Sequence, residues 1–81
     1  MEVTVYSTPT CPFCVKTKDF LKKEKISYKE VNVLQDQQRG TAIMEKSGQT
    51  GVPQIEIKDK EKTTILVGFD KDALKKALHL P

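Results

Sequence analysis

Apolar residues change their period five times along the chain, and each change marks a new element. From Glu2 to Tyr6 the alternation around Val3 and Val5 has period two and predicts a strand. After a run of turn formers, Phe13, Thr17, Phe20 and Leu21 repeat at helical spacing and predict a helix from Cys11 to Glu24. Ile26, Tyr28, Val31 and Val33 mark a second β-rich run, with the strict alternation disturbed. A helix between two strands implies a right-handed crossover and a parallel pair. Asp36 and Gly48 bracket a second helix, Asp36 to Ser47, with Ile43 and Met44 on its apolar side. Gly40 weakens that helix by up to ~1 kcal/mol relative to alanine. The strand Gln54 to Lys58 follows Gln49-Thr50-Gly51-Val52-Pro53. A charged turn, Asp59 to Lys62, returns the chain as an antiparallel partner, Thr63 to Val67. Asp70 caps a last helix whose buried stripe is Leu74, Ala77 and Leu78, with His79 at its C-terminal end. The predicted order is β-α-β-α-β-β-α, an α/β fold on a mixed four-stranded sheet.

Composition narrows the function. The 81 residues are 37% hydrophobic and 31% charged, an ordinary balance for one small domain over residues 1–81. A domain of this size buries only roughly 60% of its unfolded surface, so its core is small. No run approaches the ~20 apolar residues of a membrane span. The start Met1-Glu2-Val3-Thr4-Val5 lacks the pattern of a secretory leader, so none is expected. The net charge of +3 comes from 14 basic and 11 acidic residues interleaved along the chain, with only three phenylalanines, two tyrosines and no tryptophan. A solvated lysine-rich surface accounts for this better than a nucleic-acid interface, which gathers cations and aromatics on one face.

The chemistry lies in the cysteines. The chain has two, Cys11 and Cys14, in a C-x-x-C motif. Three readings compete. As a structural disulfide the pair closes a short loop and restricts the unfolded chain by only ~2 kcal/mol in the entropy model. As a closed zinc site it needs further ligands, and the only histidine, His79, stands near the other end; a site shared between two chains would supply them. As a redox dithiol it fits its neighbourhood. Pro12 suits the first turn of a helix, which places Cys11 at the helix N-terminus and Cys14 one turn further in. Unpaired N–H groups and the helix dipole there favour a thiolate at Cys11. A thiol so stabilised is also a good leaving group. Cys11 is then the attacking residue and Cys14 the resolving one. Lys16 and Lys18 add positive charge nearby.

An ordered set of motifs resembles the glutaredoxin family: Val5-Tyr6-Ser7, the CPFC of Cys11 to Cys14, Ser47-Gly48, GVPQIEI from Gly51, and Gly68-Phe69-Asp70. The resemblance covers nearly the whole chain. It implies a thioredoxin-like fold, reduction of protein or small-molecule disulfides and a cytoplasmic setting; with the composition and the cysteine count, the expected protein is a monomer with no tightly bound cofactor, no metal and no membrane or nucleic-acid partner. It also implies a cis Val52-Pro53 peptide facing the cysteines, whose backbone pairs with an extended substrate. Substrate contacts are then expected from Thr8, Pro12, Phe13, Val52, Pro53, Gly68, Phe69 and Asp70, with Tyr6 either bordering that surface or packed away. Gly68 and Phe69 have alternative roles as a turn and a hydrophobic staple.

The electron source is where this chain departs from the family's pattern. Thr8 stands where glutathione-using members often carry lysine, Val67-Gly68 replaces a Gly-Gly pair, and Asp70-Lys71 replaces an Asp-Asp pair. Gly68-Phe69 also resembles the redoxins that supply ribonucleotide reductase and are recharged by thioredoxin reductase, although those usually lack proline between the cysteines. The resemblance therefore implies glutathione as a co-substrate or thioredoxin reductase as the reductant. A further alternative it offers is an iron–sulfur carrier, with Cys11 of two chains holding the cluster.

Overall fold

The residues that open and close the helices settle where the strands can run. The computed structural model describes residues 2–80; Met1 and Pro81, the ends of the domain expected over 1–81, lie outside them. The elements are β1 (Glu2–Ser7), α1 (Pro12–Lys23), β2 (Lys29–Asn32), α2 (Gln37–Ser47), β3 (Gln54–Lys58), β4 (Thr63–Val67) and α3 (Lys71–Ala77). Asp36 and Asp70 cap α2 and α3 as expected, accepting the N–H of Arg39 at 3.2 Å and of Ala73 at 3.1 Å. Gly48 ends α2 with φ of 71°, a left-handed conformation that glycine takes without strain.

Helices α1 and α3 close without glycine. Lys25 takes φ of 59°, and the N–H of Ile26 turns back to the Leu21 carbonyl at 2.9 Å. His79 takes φ of 58°, and the N–H of Leu80 reaches the Lys75 carbonyl at 2.8 Å. Both are 6→1 closures that satisfy orphan carbonyls. They explain two departures from the sequence reading. Ile26 serves the cap of α1, so the β-rich run begins pairing only at Lys29, and Ile26 and Tyr28 pack on the core from the connection. His79 lies beyond α3 in the reversing turn, with Nε2 3.6 Å from Asp59 Oδ2.

The sheet order is β2-β1-β3-β4, with β1 parallel to β2 and antiparallel to β3, and β3 antiparallel to β4. Register places Val3 opposite Ile57 and Val5 opposite Ile55. These four join Phe20 and Leu21 of α1, Leu74 of α3 and Leu78 just past it in one buried cluster. On the other face Tyr6, Val31, Val33 and Ile43 form a smaller cluster under α2. A Cβ at Gly40 would lie 2.9 Å from Val33 Cβ, so the residue expected to weaken α2 is what lets the helix approach the sheet. Away from that apolar cluster this face turns polar. Glu56, its side chain 4% exposed, accepts from the Tyr6 hydroxyl at 3.4 Å and faces Lys46 Nζ at 3.3 Å. Burial, and then the Glu56 carboxylate, hold the Tyr6 hydroxyl above the ordinary tyrosine range.

Candidate redox site

Pro12 begins α1 and Cys11 is its N-cap, the half-in position whose side chain serves the helix's free N–H groups. The Cys14 N–H donates to Cys11 Sγ at 3.3 Å, and the Cys11 thiol points to the Val52 carbonyl at 3.8 Å. The Cys11 N–H is held by the Thr8 carbonyl at 3.4 Å. Both cysteines are free thiols, Cys11 partly exposed and Cys14 wholly buried. Burial, reinforced by hydrogen bonding with Cys11, pushes the Cys14 thiol up to about 11. The motif therefore carries two unlike sulfurs: one partly exposed and accepting the Cys14 N–H, and one dry and held protonated.

Opposite them runs the loop joining α2 to β3. Its Val52-Pro53 peptide is cis, as the resemblance implied. Pro53 is buried and Val52 half-buried. The Pro53 carbonyl accepts the N–H of Gly68 at 2.8 Å, which ties the end of β4 to this loop. Gly68 sits at φ of 83° with open space where a side chain would be, so its turn role and a place beside the loop coexist.

The other predicted residues divide. Phe13 is 53% exposed and carries Lys16 Nζ 5.3 Å above its ring, so it faces solvent rather than the protein interior. Lys18 is engaged by Glu30 at 2.9 Å, a hydrogen bond that raises its pKa and leaves the lysine a partner other than the cysteines. Phe69 turns its ring edge-on to Phe20 at 6.3 Å and packs on the core. Asp70 has one carboxylate oxygen committed to the α3 cap. Tyr6 points to the α2 face, toward Glu56, which settles it as packed away from the cysteines. Of the rest, Thr8 and Val52 contact Cys11 through their carbonyls and Pro12 follows it in the chain, while Pro53 and Gly68 are bonded to each other where β4 meets the loop.

One residue under the loop opposite this site escaped the sequence reading. Gln54 follows Pro53 on the α2 face and is fully buried. Its side-chain amide donates to the carbonyls of Gln49 at 3.0 Å and Gly51 at 2.9 Å. No period flags it, because a glutamine on the second face of a strand reads as solvent-facing.

The Glutaredoxin family model matches residues 3–61. A relative described as an uncharacterized glutaredoxin-like 8.6 kDa protein in the rubredoxin operon of Clostridium pasteurianum is 41% identical over 77 residues, covering 95% of this chain and 97% of its own. Among solved structures, a mutant of a thioredoxin-like protein superposes with a TM-score of 0.85 at 29% identity, covering 99% and 97% of the two chains. The glutaredoxin-like redoxin of Escherichia coli described as having a thioredoxin-like activity profile gives 0.80 at 21% identity, covering 94% and 93%. The β-α-β-α-β-β-α arrangement is thus thioredoxin-like.

Proposed function

The chain belongs to the glutaredoxin family and is a thiol–disulfide oxidoreductase, and we propose that it reduces protein disulfides by a two-cysteine cycle with Cys11 attacking and Cys14 resolving. The observation that carries the assignment is the asymmetry of the pair: Cys11 Sγ is accessible at a helix N-cap, while Cys14 is buried with its thiol held up at about 11. The Cys11 thiolate attacks one sulfur of the substrate disulfide, and the other sulfur departs as a thiolate and takes up a proton. Cys14 then gives up its proton and attacks Cys11 Sγ, breaking the mixed disulfide. The substrate leaves as a dithiol and the protein as the Cys11–Cys14 disulfide, two electrons having passed. The backbone of Val52 lies where an extended substrate chain would pair while this occurs.

The residues beside the site favour a protein reductant over glutathione. Thr8 offers no cation for a carboxylate, and Val67 leaves an apolar side chain 42% exposed ahead of Gly68. The thioredoxin-like activity profile of the Escherichia coli redoxin supports the same reading. No helix among the described residues is long and apolar enough to cross a membrane; the cytoplasmic setting and the monomeric carrier rest on the family resemblance alone.

A redox titration in glutathione buffers, with thiols trapped by alkylation and counted by mass, tests the assignment. A reversible two-electron couple between about −180 and −280 mV is expected. A pair still oxidised well below −300 mV would make the bridge structural and overturn the proposal. Reoxidised protein is then offered NADPH with thioredoxin reductase or with glutathione and its reductase; faster turnover by glutathione would overturn the assignment of the reductant.

A further inference from the structure

The loop facing the cysteines spans residues 49–53, between α2 and β3, and has no regular structure of its own. Its backbone is fastened at few points. Ser47 engages both backbone groups of Gln49 through its hydroxyl, at 3.1 and 3.3 Å, and the N–H of Gly68 holds the Pro53 carbonyl at 2.8 Å. The stretch between those anchors is spanned by the side chain of Gln54, whose amide nitrogen reaches the Gln49 and Gly51 carbonyls. Carbonyls only accept, so the amide can present only its NH2 end to them. Both hydrogens are thereby committed, and the other end, Oε1, is buried without a protein partner among the described residues. A buried acceptor left unpaired costs stability. An apolar residue would fill the same space without that penalty, so packing alone does not account for glutamine here.

We propose that Gln54 is a positioning residue for thiol–disulfide exchange: its amide cross-braces residues 49 and 51 and so fixes the Val52 backbone at the distance from Cys11 that an extended substrate chain requires. It rests on the functional reading above, in that the substrate pairs with Val52. Gln54 touches neither sulfur. Its effect is confined to substrates long enough to engage the loop, and leaves the sulfur chemistry of Cys11 unchanged.

The test compares two disulfides, a blocked peptide with extended residues flanking its disulfide and bis(2-hydroxyethyl) disulfide, each reduced by the wild type and by Gln54→Met. Methionine matches the length and removes both donors. The variant should need about tenfold more peptide for half-maximal rate, the equivalent of one to two lost hydrogen bonds. The rate at saturation and the rate with the small disulfide should stay within twofold. An unchanged peptide requirement, or equal slowing with both disulfides, would overturn the proposal. A wild type inactive on both disulfides would instead overturn the functional reading. Should Gln54→Met fail to fold, the wild type still decides. The two side-chain amide protons of Gln54 should exchange slowly with solvent by NMR, and fast exchange would refute the brace.

Discussion

On one face of the sheet α1 and α3 close over Val3, Val5, Ile55 and Ile57, whereas the other face has α2 alone, an apolar patch around Tyr6, Val33 and Ile43, and the buried Glu56. The first region is dry and continuous. The second opens into a cleft of about 300 Å³ lined by Thr4, Arg39, Lys46, Glu56 and Lys58 among others. Both cysteines ride on the helix of the dry region, and the loop opposite them comes from the helix of the polar one. A fixed helix N-terminus thus meets a loop held mainly by hydrogen bonds. Rigidity where sulfur chemistry occurs, and a replaceable brace where substrates dock, is the division this comparison teaches.

The largest test of that division is truncation in each region. Ile55→Ala should cost about 4 kcal/mol, near the upper part of the range for buried aliphatic residues, and Ile43→Ala about 2–3 because the thinner layer around it can relax. Urea unfolding of both variants checks this, and equal costs would break the contrast.

Each region also buries a weak acid, which sharpens the comparison at high pH. Cys14 has a folded value of about 11 against an ordinary 9.0. A raised value means that the neutral thiol stabilises the fold fully below pH ~9 and that this contribution is lost as pH rises to ~11, a loss of about 2–3 kcal/mol. Tyr6, also raised, adds a loss above pH ~10. Denaturation midpoints for the wild type and Cys14→Ser at pH 8 to 11 separate the two. A wild type as stable at pH 11 as at pH 8 would contradict the burial argument.

Gly40→Ala tests how closely α2 sits on the sheet. Alanine should gain up to ~1 kcal/mol in helix propensity, but the overlap with Val33 Cβ should reverse the sign to a net loss of about 1–2 kcal/mol. A stabilised variant would show that the helix lifts away freely. Smallest is Glu56→Gln, which keeps the shape and an acceptor for Tyr6 while removing the charge facing two half-exposed lysines. Less than about 1 kcal/mol should be lost. A loss above ~3 would mean that charge holds this face as firmly as packing holds the other.

Much of this was legible in the chain because the signals are local. Val3 and Val5 alternate, Asp36 and Asp70 stand where caps must, and Cys11-Pro12 marks a helix start whose consequences for sulfur are general chemistry. What escaped depends on neighbours distant in sequence. Gly40 reads as a helix weakness until Val33 is seen against it. Ile26 reads as strand until its N–H is found closing α1. Gln54 reads as surface until the Gln49 and Gly51 carbonyls are seen folded over it. Tyr6 was ambiguous because strand alternation gives its face relative to Val5 but not which helix covers that face.

The division of labour between the two sulfurs is tested most directly by trapping. Reduced Cys14→Ser and Cys11→Ser are each mixed with a peptide disulfide and read by intact mass. The account predicts a stable mixed disulfide on Cys11 in the Cys14→Ser protein and none in Cys11→Ser, whose remaining thiol is buried and held protonated. A mixed disulfide forming on Cys14 as fast as on Cys11 would contradict it.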